Sequence, residues 1–195
     1  MEAKPRTVLA DVPFRFDNQT TRAAASNHYE LMSFDELMDF HFPHDEQSCL
    51  LLFWAWSAVL PECLEIVKAW GFEYKALLTW VKPHMGLGNY VRNATEHMIL
   101  AVKGRVRPVE RRQLSWFIAE AREHSRKPEM QYDIAERLGE PPYLELFARR
   151  PRLGWISYGK ELNGLVFLQM ERKATKISGE LEPDSKWSST ARGTL

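Results

Sequence analysis

The stretch Thr7-Val8-Leu9-Ala10-Asp11-Val12-Pro13-Phe14 decides how the chain is read. Its β-branched and aliphatic start favours a buried strand, and a proline cannot continue a ladder, so Asp11 stands where the strand stops. In open α/β sheets, ligands bind just beyond the carboxyl ends of the strands. A carboxylate, a stiff turn and a flat ring then face one crevice. The plain alternative is a strand running into an ordinary turn.

The residues around this stretch support an α/β reading. Arg15 to Asn27 is polar and aperiodic, the composition of a binding loop or of a merely mobile one. Ser33-Phe-Asp-Glu36 has the Ser-x-x-Glu form of a capping box and predicts a short helix to about Phe40. His41 to Gln47 is a polar break. Cys49-Leu-Leu-Leu-Phe-Trp54 is continuously apolar and reads as a buried parallel strand. Pro61 then opens a helix bearing Leu64, Ile66, Val67 and Trp70, stopped by Gly71. Phe72 to Val81 and Glu96 to Val102 have strand composition, separated by a loop through His84-Met-Gly-Leu-Gly-Asn89. Leu114 to Ala119 reads as a short strand. Pro128 starts a helix that Gly139 closes after Leu138. Tyr143 to Phe147 and Gly154 to Gly159 are further strands, and Leu165 to Met170 is an edge strand. Alternation of this kind predicts βαβ units and a mostly parallel sheet with helices on both faces. The chain past Glu171 is a polar tail.

Composition narrows the function classes. The chain has 195 residues, of which 45% are hydrophobic, enough for a substantial core. The formal net charge is zero, so bulk charge neither demands nor excludes nucleic acid. Local clusters at 103–112, 122–127 and 149–152 are basic and lie next to predicted strand ends, where together they could track a phosphate backbone. Cys49 and Cys63 have no metal-type spacing and read as buried thiols of a reducing compartment. The N-terminus has no apolar signal core and the longest apolar run is too short to span a membrane, so a soluble, cytoplasmic protein is expected. There is no Gly-x-Gly-x-x-Gly, Walker or Gly-x-Ser-x-Gly motif, and no zinc spacing. The remaining polar residues at predicted strand ends are Asp11, Glu96, Lys127, Glu145 with Arg149, and Lys160 with Glu161.

These pieces, in this order, resemble the adenine-N6 methyltransferases of phages and bacteria related to the catalytic subunit of the eukaryotic messenger-RNA adenosine methyltransferase. The likeness covers about residues 7 to 162. It is carried by Ala10-Asp-Val-Pro-Phe14, where the family has Asp-Pro-Pro-Trp, and by Leu51-Leu-Phe-Trp54, Ala69-Trp-Gly-Phe72 and Thr79-Trp-Val-Lys82. Glu96-His97, His124-Ser-Arg-Lys-Pro128, Leu144-Glu-Leu-Phe-Ala-Arg149, Gly154-Trp155 and Gly159 complete it. The resemblance implies a Rossmann-like fold that uses S-adenosylmethionine, permuted so that the catalytic stretch precedes the cofactor stretch. A methyltransferase domain over 1–162 is expected, then an edge strand and tail over 163–195.

By the same resemblance, Asp11, Val12, Pro13 and Phe14 form a variant catalytic motif. Asp11, Lys127, Glu145, Phe147 and Arg149 line the cofactor pocket, with Lys160 and Glu161 on its ribose side. Arg92 and Glu96 match positions near the substrate adenosine, and Arg105 and Arg107 are further substrate candidates from the basic run. No metal is implied. The implied activity is methyl transfer to the adenine exocyclic amine, in DNA ahead of RNA. Whether the chain forms a homo- or heterodimer stays open. Val12 and Phe14 depart from the family's Pro and Trp. They leave a second reading: a degenerate member that binds nucleic acid or a partner subunit without turnover.

Overall fold

A computed structural model describes residues 3–14, 31–83, 86, 90–121, 126–159, 162 and 164–167. Its strands are β1 (Thr7–Ala10), β2 (Ser48–Ala55), β3 (Glu73–Val81), β4 (Thr95–Gly104), β5 (Trp116–Ile118), β6 (Tyr143–Leu146), β7 (Trp155–Gly159) and β8 (Gly164–Phe167). Its helices are α1 (Phe34–Met38), α2 (Leu60–Ala69) and α3 (Met130–Leu138). The strands form one sheet in the order β5-β3-β4-β2-β1-β6-β7-β8.

β1 lies in the interior of the sheet, parallel to β2 on one side and β6 on the other. Its four residues and nearly all of β2 are buried, which is why they read as unbroken apolar runs. The α1 and α2 side chains Leu37, Cys63, Ile66 and Val67 cover the sheet face that carries Val8, Leu51, Phe53 and Ile99. Tyr132, Ile134, Ala135 and Leu138 of α3 cover the other face, against Leu9, Leu50, Leu52 and Trp54. The expected two-faced α/β layering is therefore present.

The direction of β4 differs from expectation. β4 runs antiparallel to both β2 and β3. The Cys49–Trp54 run is thus parallel to β1 alone. An antiparallel return needs no crossover helix, and β4 comes back from β3 to fill the gap between β3 and β2. The pairings of β1 with β2 and β6, of β6 with β7 and of β3 with β5 are parallel; β8 closes the edge antiparallel to β7.

Local signals explain the helix ends. The Glu36 N–H donates to Ser33 Oγ at 3.2 Å, and the Ser33 N–H donates back to Glu36 Oε2 at 2.7 Å, completing the capping box. Past α2, Gly71 takes φ +82°. Its N–H donates to Lys68 O at 2.9 Å and that of Phe72 to Val67 O at 3.1 Å, the Schellman pair that ends a helix.

Gly139 closes α3 as expected, its N–H donating to Ala135 O at 2.8 Å, but without a left-handed backbone. Its φ is −117°, open to any residue. The constraint is space: a Cβ there would lie 2.1 Å from Thr7 Oγ1 and 2.8 Å from Thr7 Cγ2. Thr7 is fully buried and cannot retreat. Gly139→Ala is therefore expected to destabilise the fold by about 1–3 kcal/mol through overpacking, read as a lower denaturant midpoint at unchanged slope.

The polar loop 15–27, most of the glycine loop 84–89 and the tail beyond residue 167 lie outside the described residues. Among the described residues no helix is long and apolar enough to cross a membrane.

Candidate active site

Asp11 follows β1 directly, at the carboxyl edge of the sheet where β2 and β6 also end. β4 reaches that edge from the other direction. His97 pairs with Ala55 and Glu96 with Trp80, so the antiparallel strand begins where β1 and β2 finish. Glu96 is thereby delivered beside Asp11. A parallel β4 would have placed it at the far edge.

Lys127 joins the two acids. It lies just before Pro128 and α3, and it is buried. Its Nζ is 3.0 Å from Asp11 Oδ1 and 3.3 Å from Glu96 Oε2, and it stands 5.2 Å from the centre of the Trp54 ring. Burial acts to discharge this ammonium, but the Asp11 and Glu96 carboxylates outweigh it and hold the lysine above its ordinary pKa. Glu96 also pairs with Lys82. The indole N–H of Trp54 donates to the buried Gln131 Oε1 at 2.8 Å, fixing the ring beneath the lysine.

The turn after Asp11 is built from backbone hydrogen bonds. The Phe14 N–H donates to Val12 O at 2.9 Å, a three-residue turn centred on Pro13, and the Met32 N–H donates to Pro13 O at 2.8 Å. Proline's fixed φ suits the centre of such a turn. The Val12 carbonyl is thus held although residue 12 is not proline. Each carbonyl oxygen has a second lone pair for a further donor. Phe14 forms a bridge with Met32 at the margin of the α1 face.

On the other side of β1, Glu145 of β6 faces α3 and accepts from the Tyr132 hydroxyl at 3.0 and 3.1 Å. Burial pushes its carboxyl up to about 7. Phe147 follows β6 with φ +61°, the left-handed region that a non-glycine residue adopts at a cost of about 1–3 kcal/mol. The turn is enforced by β7. The Ala148 N–H donates to Tyr158 O at 2.9 Å, and Gly159 approaches so closely that a Cβ would sit 2.0 Å from Ala148 O. Arg149 is exposed just past this turn.

Asp11, Val12, Pro13, Phe14, Glu96, Lys127, Glu145 and Phe147 therefore gather at one edge. Arg92 is exposed in the segment leading into β4. Arg105 and Arg107 do not join them. The Arg105 N–H donates to Gln47 O at 2.9 Å, beside the start of β2, so both arginines lie at the opposite edge from Asp11. The cause is again the direction of β4, whose end is remote from the site. Lys160 and Glu161 lie outside the described residues, as do 122–125.

Some charges of the proposed basic track are paired within the chain. Arg150 and Arg152 pair with Glu129, and Arg152 with Glu136, which offsets these two charges beside α3. Lys103 pairs with Glu46 near His44 at the far edge. Sequence reasoning missed Lys82, Trp54, Gln131 and Tyr132 as parts of the site. Trp54 ends the apolar run from Cys49 and Lys82 follows the strand ending at Val81, a usable signal; Gln131 and Tyr132 carry none.

Residues 5–161 match the family model described as MT-A70. Over 174 residues the chain is 30% identical to the protein named Probable N(6)-adenosine-methyltransferase MT-A70-like of Oryza sativa subsp. japonica, covering 80% of this chain and 24% of that one. It is 28% identical over 145 residues to Type II methyltransferase M.MunI of Mycoplasma sp, covering 72% and 62%. It is 26% identical over 152 residues to the N(6)-adenosine-methyltransferase catalytic subunit METTL3 of Homo sapiens, covering 72% and 26%. The chain thus spans about a quarter of the length of the rice and human relatives.

Proposed function

This chain belongs to the MT-A70 family, with a Rossmann-like methyltransferase fold, and on that footing we propose that it methylates N6 of adenine in DNA. The observation that carries the reading is Asp11 at the carboxyl end of β1, ion-paired to a buried lysine that also holds Glu96.

The donor set fits the cofactor that methyltransferases generally use. Asp11, Glu96 and Glu145 set three carboxylates against the ammoniums of Lys82 and Lys127. That surplus of acceptors suits S-adenosylmethionine, whose sulfonium and ammonium outnumber its carboxylate. When bound, the cofactor supplies an electrophilic methyl group. Asp11, Lys127, Glu145, Phe147 and Arg149 are proposed to hold it, with Lys160 and Glu161 on its ribose side.

The chain's own residues then act on the amine. Adenine N6 is a poor nucleophile because its lone pair is delocalised into the ring. Asp11 accepts a hydrogen bond from one N6–H, and the free lone pair of the Val12 or Pro13 carbonyl accepts from the other. Both contacts favour a tetrahedral nitrogen, the geometry of the transition state. Phe14 stacks on the base, with less area than an indole. Arg92 and Glu96 are placed on the substrate side. In a duplex the base must first be flipped out.

DNA is put ahead of RNA on the likeness to the Type II methyltransferase, while the likeness to the N(6)-adenosine-methyltransferases makes RNA the rival substrate. The test is mass spectrometry of nucleosides after incubation with S-adenosylmethionine and either polymer. N6-methyldeoxyadenosine from DNA is expected. N6-methyladenosine from RNA alone would move the substrate to RNA. Cofactor binding without transfer to either polymer would support the non-catalytic reading that Val12 and Phe14 leave open. In that case Val12→Pro with Phe14→Trp should switch transfer on.

A further inference from the structure

We propose that Tyr132 is a positioning residue for the Glu145 carboxylate, holding it in the orientation in which it accepts a hydrogen bond from the bound cofactor; this rests on reading the site as a cofactor pocket.

Tyr132 is gripped on three sides. The Arg152 guanidinium lies over its ring at 4.1 Å, and the Trp155 ring meets it edge-on at 5.3 Å and 78°. Its hydroxyl reaches both Glu145 oxygens, at 3.0 and 3.1 Å. The clamp is itself anchored. Arg152 is held 3.4 Å from Glu129 and 3.6 Å from Glu136, and the Trp155 indole N–H donates to Glu136 at 2.8 Å. The tyrosine is 3% exposed, so it has nowhere else to go.

A glutamate's last torsion is soft, with no sharp preferred angle. Glu145 therefore needs a partner to define it, and the gripped hydroxyl is that partner. The hydroxyl carries one proton, and a carboxylate has about four acceptor sites. After the Tyr132 contact, Glu145 keeps lone pairs for a ligand's donors. Burial, first, and the neighbouring Glu145 push the Tyr132 hydroxyl well above its ordinary pKa, so it stays a donor.

The same contact bears on the charge of Glu145. Its carboxyl stands at about 7, raised chiefly by burial and also by Asp11, against the lowering effects of the Tyr132 hydrogen bond, Arg150 and Arg152. Below that pH the group is mostly a neutral acid. Above it, the ionised carboxylate is acceptor-only and strengthens its hold on a donor. Cofactor affinity is thus expected to rise with pH through about 7. Removing the Tyr132 hydroxyl takes away a lowering contribution, so the midpoint should move up.

Two measurements on the full chain test this. One is calorimetric binding of S-adenosylmethionine from about pH 6 to about pH 9. The other is titration of the Glu145 carboxyl carbon by NMR without cofactor. Tyr132→Phe keeps the ring between Arg152 and Trp155, so folding is preserved. It is expected to weaken cofactor binding about tenfold at neutral pH. The KM for cofactor should rise to match, kcat should barely change, and the Glu145 midpoint should move up. Glu145→Gln should flatten the pH dependence, and adding Tyr132→Phe to it should cost no further affinity. Unchanged affinity and midpoint in Tyr132→Phe, or full additivity with Glu145→Gln, would overturn the proposal. Should the wild-type chain bind no S-adenosylmethionine at any pH, the cofactor reading fails. The carboxyl titration then decides separately whether Tyr132 controls Glu145.

Discussion

Replacing Asp11 by alanine is expected to lower methyl transfer to adenine about 10²–10³-fold, the size of losing one preorganised group aimed at the reacting centre. The effect should fall on kcat, because the hydrogen bond from N6 strengthens as the nitrogen turns tetrahedral. Stability should change little. Asp11 lies outside the strand ladder and its side chain is 32% exposed. Lys127 keeps Glu96 at 3.3 Å when Asp11 is gone. Asp11→Asn is the finer probe, since it keeps the shape and an acceptor oxygen but loses the charge. Activity within about tenfold of wild type for both variants would remove Asp11 from the chemistry. Melting curves alongside the kinetics separate a lost contact from a lost fold.

Lys127→Met is expected to damage stability and function together. The thioether roughly fills the space but leaves Asp11 and Glu96 without their shared ammonium. Breaking a buried ion pair by removing one partner costs about 3–5 kcal/mol. The lower figure is expected here, because water reaches Asp11 and Lys82 still pairs with Glu96. At about 3 kcal/mol the melting temperature should drop by roughly 6–12 °C. The pH dependence follows from the raised pKa of Lys127. The stabilisation is fully present below the ordinary lysine value. It is lost only as pH rises through the higher folded value. The gap between wild type and variant should therefore persist through neutral pH and close in strong alkali. A variant as stable as wild type at neutral pH would mean that the two carboxylates do not need the lysine.

Much of the architecture was legible because it is encoded over short distances. The capping box at Ser33 and Glu36 and the left-handed Gly71 are satisfied within a few residues of where they are read. The strand ending at Ala10 and the helix opened by Pro61 follow from local chemistry too. Gly139 closes α3 as its local chemistry predicts, but the reason it must be glycine is distant. That reason is Thr7, more than a hundred residues away, which no local rule can see.

The site divides along the same line. That Asp11 ends a buried strand, and that its turn runs through Pro13, are consequences of residue type and are present in the sequence by itself. The direction of β4 is not. A strand's apolar pattern is the same whichever way it runs, so composition could not tell that Glu96 arrives beside Asp11 while Arg105 and Arg107 are carried to the far edge. Nor could it tell that the charges of Arg150 and Arg152 are offset beside α3, since charge pairing is a matter of distance in space. The order of residues determined which elements form and which acid ends the first strand. Only the tertiary structure decided that a buried lysine binds two acids from different strands, and that a clamped tyrosine orients a third, because those contacts exist only once the strands are paired.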